Sequence, residues 1–321
     1  MGRGGGGMKA LHLWALALVL LLSACQVQDF ALRPIDGDRP VRAVATANFV
    51  TDLVQQIGGE RVQVTGLMGP GVDPHLYKAS AGDVRKLTQA DVVFYSGLFL
   101  EGKMVELFEK MPKAIAITDA IPHELLIAPE GGFEGTYTYD PHVWFDVSLW
   151  AHTAEAVRDG LSKVDPAGAG YYAERTRQYQ ARLQELDAWV KQEIGRIPPA
   201  QRVMVTAHDA FGYFGRRYGL EVRGLQGVST VAETGTRDVQ ELAAFLAERG
   251  IRAIFVESSV PRRSVEAVVA AVRARGKELR IGGELFSDAA GDPGTPEGTY
   301  VGMVEHNVRT IVSALLGGEH P

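Results

Sequence analysis

Cysteine is almost absent from this chain, since Cys25 is the single one among 321 residues. A lone cysteine excludes an intramolecular disulfide and a zinc cluster built from cysteines. The formal net charge is -6 and the basic residues form no stripe, which argues against nucleic acid as a partner. The His-Glu-x-x-His and Gly-x-Ser-x-Gly motifs of two hydrolase classes are also missing. Any metal site in this chain would therefore have to be built from histidines and carboxylates.

The first 25 residues, MGRGGGGMKALHLWALALVLLLSAC, combine a basic start with a mostly apolar stretch at 11–22. That stretch is short for a membrane span and typical of a signal peptide. The following LSAC resembles the lipobox of bacterial lipoproteins, whose cysteine carries the lipid. We expect residues 1–25 to be a lipoprotein signal peptide, with Cys25 lipidated and the mature protein extracytoplasmic, either membrane-anchored or periplasmic. A cleaved signal peptide with an incidental Cys25 and a true start at Met8 are the alternatives.

Beyond residue 41, strand-like and helix-like segments alternate. The pattern predicts strands at 41–47, 61–68, 91–97 and 113–118, and helices at 48–59, 81–90 and 100–111. A mostly parallel sheet covered on both faces shows this alternation. It resumes after Pro199, with a strand at 202–207 and a helix from 208 to 219. We predict an α/β fold of two lobes, each a mostly parallel sheet flanked by helices.

Residues 171–194 contain neither glycine nor proline. Apolar or aromatic residues, with one threonine, recur at steps of three and four, at Tyr172, Thr176, Tyr179, Leu183, Leu186, Val190 and Ile194. We predict a single long, rigid helix that joins an N-terminal lobe (26–164) to a C-terminal lobe (198–321), with the linking region at 165–197. The alternative is a large surface helix within one domain.

The tripeptide Asp-Pro-His occurs twice, ending at His75 and at His142. Proline fixes its own φ and favours extended conformations of the preceding aspartate, so each histidine is presented from a stiff turn. Asp73 and Asp140 can accept a hydrogen bond from an imidazole, as carboxylates behind metal-binding histidines do. A turn-forming role without function is the alternative for either copy.

Two further residues lie at the ends of predicted strands in the second half of the chain. His208 comes directly after the strand at 202–207, and Asp288 ends the last predicted strand. Ligands of parallel α/β sheets bind beyond the carboxyl ends of the strands. We therefore predict a metal site of His75, His142, His208 and Asp288, with Glu257 as the reserve ligand. Three imidazoles and one carboxylate suit a first-row divalent ion.

The chain resembles the TroA-like family, the solute-binding receptors of manganese and zinc ABC importers. The resemblance rests on DPHLY, ADVVFYSGLFLEGKM, YDPHVWFD, VTAHDAFGYFGRRYGLEVRGLQGVST, AIFVESSVP and IGGELFSDAAGDPGTPEGTYVGMVEHN, and it covers essentially the whole mature chain. It implies two lobes joined by one long helix, with one metal ion clamped between them by the same four residues. It also implies a membrane permease as partner, and we expect a monomer without enzymatic activity.

Two features leave the metal open between Mn²⁺ and Zn²⁺, with Fe²⁺ possible. The stretch IAPEGGFEGTYTYDPH lacks the histidine-rich loop of some zinc-binding members, and His208 replaces the glutamate of some manganese-binding members. A metal-dependent hydrolase and a surface adhesin with a structural metal are the alternative functions. A hydrolase would need an open coordination position that four protein ligands do not leave.

Overall fold

The computed structural model describes residues 31–128 and 138–318 of the chain. The signal peptide and the lipidation site predicted at Cys25 lie outside these residues. Within them, no helix combines the length and the apolar composition that a bilayer span requires.

The N-terminal lobe is built on a four-stranded parallel sheet in the order β2-β1-β3-β4. Alternate residues of the central strands face two different cores, since Ala43 and Ala45 pack into one and Val44 into the other. Helices therefore cover both faces, as expected for parallel strands. The strands are β1 (Val41–Ala45), β2 (Val62–Gly66), β3 (Val92–Tyr95) and β4 (Ala114–Ala116), and the helices are α1 (Asn48–Gly58), α2 (Ala81–Gln89), α3 (Val105–Glu109) and α4 (Val147–Val164).

The C-terminal lobe contains two parallel strand pairs, β5-β6 and β7-β8, and β5 lies alongside β7. Buried aliphatic residues of β5 and β7, such as Val205 and Ile254, form a separate core in this lobe. The strands are β5 (Val203–His208), β6 (Glu221–Gln226), β7 (Ala253–Glu257) and β8 (Arg280–Leu285). The helices are α6 (Gly212–Tyr218), α7 (Thr236–Arg249), α8 (Arg263–Ala274) and α9 (Tyr300–Leu315).

A single long helix, α5 (Ala169–Gly195), runs between the lobes. Its buried residues are the seven that the sequence pattern placed on one face. The helix packs against α1 and α4 of the N-terminal lobe and against α6 and α9 of the C-terminal lobe. The prediction of two α/β lobes joined by one long helix is confirmed.

The two lobes share one continuous apolar core. Trp150 of α4 stacks on Tyr300 of α9 with ring centroids 4.9 Å apart, and Nε1 of Trp144 donates to the carbonyl of Ser287 in the other lobe over 3.0 Å. Separating the lobes would expose the rings of Trp150 and Tyr300 to water. This costs about 25 cal/mol for each Å² of apolar surface that is exposed. The packing therefore favours small movements of loops over a wide opening of the lobes.

Two predicted helices are shorter in the structure. The helix predicted at 100–111 is reduced to α3, because the carboxylate of Glu101 accepts backbone N–H bonds from Ser96 and Gly97 and the chain wraps around it. The helix predicted from 208 begins at Gly212 instead. His208 belongs to β5, where it pairs with Gln226 of β6.

Candidate metal site

The four predicted ligands converge between the two lobes, near the carboxyl ends of strands from both. His75 lies in the loop at 67–80 after β2, and His142 directly precedes a short 3₁₀ turn before α4. His208 is the last residue of β5, and Asp288 follows β8 by three residues. All four side chains are at most 1% exposed. Each lobe thus contributes two residues to one buried cluster.

The distances within the cluster match those between ligands of one ion. The Nε2 atom of His142 lies 3.3 Å from the Nε2 atoms of both His75 and His208. The Asp288 carboxylate lies 3.3 Å from Nε2 of His208, 3.5 Å from that of His142 and 3.7 Å from that of His75. Donors bound tetrahedrally at about 2.0–2.1 Å are separated by about 3.4 Å. The donor atoms therefore already stand at the spacing that a shared metal requires.

Hydrogen bonds behind the cluster turn lone pairs towards its centre. Nδ1 of His142 donates to Asp140 over 2.7 Å, and Nδ1 of His208 donates to Glu257 over 2.5 Å. Their Nε2 atoms are then free to act as ligands. Both oxygens of Asp288 are buried without a hydrogen-bond partner among the described residues. A buried polar group without a partner is costly, and a bound cation would satisfy this one.

The pKa values of three members of the cluster are shifted in different directions. Burial lowers the pKa of His75 to about 3, so this imidazole is neutral at physiological pH. Burial opposes ionisation of Asp288, but the imidazoles, that of His208 foremost, outweigh it and lower the carboxyl pKa. Burial also opposes a proton on His208, yet Glu257 and Asp288 outweigh it and raise its pKa well above the usual value. Proton and metal therefore compete for His208.

The two Asp-Pro-His copies use their aspartates differently. Asp140 accepts hydrogen bonds from both the backbone N–H (2.9 Å) and the imidazole Nδ1 of His142. Asp73 accepts the backbone N–H of His75 over 2.8 Å, and its other oxygen accepts the hydroxyl of Thr230 from the opposite lobe. The shared tripeptide thus fixes both turns, and Asp73 adds a contact between the lobes.

Glu257 lies behind His208 instead of among the converging donor atoms. One of its oxygens accepts the backbone N–H of His208 over 2.9 Å and the other faces Nδ1. The structure therefore gives this residue an orienting role, where the sequence suggested a reserve ligand. Its position at the end of β7, beside β5, indicated that it lies close to His208. It did not indicate whether the carboxylate points towards the metal site or towards Nδ1 of His208.

Two asparagines that the sequence analysis missed hold the segment of Asp288. Asn307 of α9 bonds both the backbone N–H (2.9 Å) and the carbonyl (2.7 Å) of Phe286. Asn48 of α1 does the same for Ala290, at 2.8 Å and 2.7 Å, and its bonds cross from the other lobe. Single asparagines within helices carry no signal for this role in the sequence.

Replacing Glu257 by glutamine is expected to weaken metal binding by roughly 10- to 100-fold, the usual cost of losing a partner behind a metal-binding histidine. The amide keeps the shape but can no longer fix His208 with a charged acceptor. Competition titration against a fluorescent chelator measures the change. The exposed Glu284→Gln serves as the matched control and should bind like the wild type, whereas unchanged affinity in Glu257→Gln would remove the orienting role.

Fold and site together define a two-lobed binding protein, with a cluster of three histidines and one aspartate between the lobes that could hold a metal ion. The family model described as the periplasmic zinc-uptake complex component A matches residues 43–314. The chain belongs to this family.

Individual relatives are similar over most of their length. The chain is 50% identical to the zinc-binding protein TroA of Treponema pallidum, with 89% of this chain and 92% of that protein covered. It is also 50% identical to the manganese-binding lipoprotein MntA of Bacillus subtilis, with coverages of 87% and 91%. The solved structure of periplasmic zinc-binding TroA from Treponema pallidum superimposes with a TM-score of 0.83 at 50% identity, over 86% of this chain and 99% of that one.

Proposed function

We propose that the protein is the extracytoplasmic receptor of an ABC importer, which captures Mn²⁺ or Zn²⁺ and delivers it to a membrane permease. His75, His142, His208 and Asp288 are the ligands in this proposal. The observation that carries it is their buried convergence, with two imidazoles turned inwards and a carboxylate that has no hydrogen-bond partner within residues 31–128 and 138–318. The family and the names of relatives that bind zinc or manganese support it.

The proposal also covers the division of the chain into lobes, its monomeric state and its attachment to a membrane. Residues 26–164 and 198–321 form the two metal-binding lobes, 165–197 is their linking region, and the receptor works as a monomer. Lipid on Cys25 tethers it to a membrane, which is supported by relatives named as lipoproteins.

Metal analysis of protein purified from its own host, paired with competition titrations of Mn²⁺ against Zn²⁺, tests the proposal directly. We expect one transition-metal ion per chain. In vitro the site should bind Zn²⁺ more tightly than Mn²⁺, because nitrogen and oxygen donors follow the Irving–Williams order. A protein that binds neither ion would contradict the proposed function.

A transport role fits the site better than catalysis does. Catalytic zinc usually keeps one position open for water, whereas four protein donors fill a tetrahedral shell. The four residues that supply the donors are also at most 1% exposed, so that they present no open face to a substrate. Metal-dependent cleavage of an ester, peptide or phosphate that is lost in His208→Ala would favour the hydrolase instead.

Removal of the metal is expected to leave the protein folded. A continuous apolar core of residues from both lobes holds the fold together, so folding does not depend on the ion as it does in structural zinc domains. In a chelator we expect an unchanged far-UV circular dichroism spectrum, and a melting temperature that rises when Zn²⁺ is restored. A largely unfolded metal-free protein would indicate the structural metal of the adhesin alternative.

A further inference from the structure

The loop that carries His75 is joined to the C-terminal lobe through Thr230. The Thr230 hydroxyl donates to Oδ2 of Asp73 over 2.5 Å, and Oδ1 of the same carboxylate accepts the backbone N–H of His75 over 2.8 Å. Thr230 is 9% exposed, in the segment between β6 and α7. One carboxylate therefore links a hydroxyl of one lobe to a metal-ligand position of the other.

The other three candidate ligands are held by different means. His208 is part of a strand, and the segment of Asp288 is fixed by Asn48 and Asn307. Nδ1 of His142 is fixed by its own aspartate.

The loop of His75 is irregular in its middle part. It contains Gly69, Pro70 and Gly71, and its turns close through backbone bonds of 3.3 Å, at Val72 and at Leu76. The bond from Thr230 to Asp73 ends on a carboxylate, which makes it a stronger kind of hydrogen bond than one between neutral backbone groups. It is thus well placed to set the position of this loop.

The contact also lies where it can open independently of the core. Leu76, next to His75, is 49% exposed, and Val231, next to Thr230, is 50% exposed. The aromatic packing that joins the lobes involves other segments, around Trp150 and Tyr300. Breaking this one hydrogen bond would therefore release Asp73 from the opposite lobe without separating the lobes.

We propose that Thr230 is a positioning residue for metal retention, whose hydroxyl holds Asp73, and through it His75, in the closed arrangement. Opening of the bond between Thr230 and Asp73 is the first step of metal release. This inference rests on the proposed function, because it assumes that His75 is a ligand.

Stopped-flow release of Zn²⁺ into an excess of chelator tests the role of the hydroxyl. Thr230→Val keeps the shape but removes the donor, and release should become roughly tenfold faster or more, since a hydrogen bond to a charged group is lost. Thr230→Ser retains the hydroxyl and should restore a rate close to that of the wild type. The association rate and the melting temperature of the metal-free protein should stay unchanged in both variants, which separates positioning from a general structural role.

Thr234 offers a matched control in the same segment, because its buried hydroxyl has no hydrogen-bond partner in the part of the chain that the structure describes. Thr234→Val should therefore release Zn²⁺ at the wild-type rate. Equal rates for Thr230→Val and the wild type, or equally fast release from Thr230→Ser, would overturn the inference while leaving the proposed function intact. Failure of the wild type to bind Zn²⁺ would overturn both.

Discussion

Replacing His142 by alanine is expected to lower the affinity for Zn²⁺ and Mn²⁺ by more than about a hundredfold. Loss of a residue that only supports a ligand costs at most about that much, and the loss of a ligand itself should cost more. His142 occupies the middle of the cluster, since its Nε2 lies 3.3 Å from those of both other histidines. Its loss removes one donor of four and leaves Asp140 without the imidazole that it orients. Isothermal titration of the metal-free protein measures the change.

The fold should survive this substitution. The ring of His142 packs edge-on against Trp144 with centroids 5.1 Å apart, but the apolar core around Trp144 extends through both lobes and does not depend on this one contact. Circular dichroism of the metal-free variant should therefore match that of the wild type. His152→Ala, a histidine of α4 that does not belong to the cluster, controls for the loss of an imidazole as such. Near-wild-type affinity in His142→Ala would exclude this residue as a ligand.

Periodicity in the sequence was sufficient to predict the elements that bury most of their apolar surface. The seven buried residues of α5 follow directly from steps of three and four, and the strands of both lobes were predicted from their apolar runs. The predictions failed where a polar contact distant in space decides the backbone. The chain wraps around the carboxylate of Glu101, so that α3 begins only at Val105, and the pairing of His208 with β6 delays α6 to Gly212.

The predicted ligands came from residue type and position, but the groups that hold them could not be predicted in the same way. His75 and His142 were marked by proline-stiffened turns, and His208 and Asp288 by the ends of strands. The contacts of Thr230 and Asn48 connect opposite lobes, at sequence separations of 157 and 242 residues. Such contacts depend on how the lobes pack together, which no local pattern expresses.

Metal binding is expected to weaken steeply as the pH falls, because the metal must displace a proton from His208. The carboxylates of Glu257 and Asp288 raise the pKa of this imidazole well above its usual value despite the opposing effect of burial. Below that pKa the metal-free protein carries the proton, and binding releases it. Each released proton makes the affinity fall about tenfold per unit of pH below that pKa, so binding at about pH 5.5 should be clearly weaker than at about pH 7.5.

His75 and Asp288 should add little to this dependence. Burial lowers the pKa of His75 to about 3, so this residue stays neutral above that pH and releases no proton on binding. Asp288, whose pKa is lowered, stays ionised over the same range.

The substitution Glu257→Gln separates the contribution of His208 from the rest. It removes one of the two carboxylates that raise the pKa of His208, and the onset of weakening should therefore move to lower pH. Titrations of Zn²⁺ in buffers of different ionisation enthalpy count the protons released by each variant. Affinity that stays constant between about pH 7.5 and about pH 5 would contradict a site that depends on neutral imidazoles. A wild-type pH profile in Glu257→Gln would instead assign the released proton to a group other than His208.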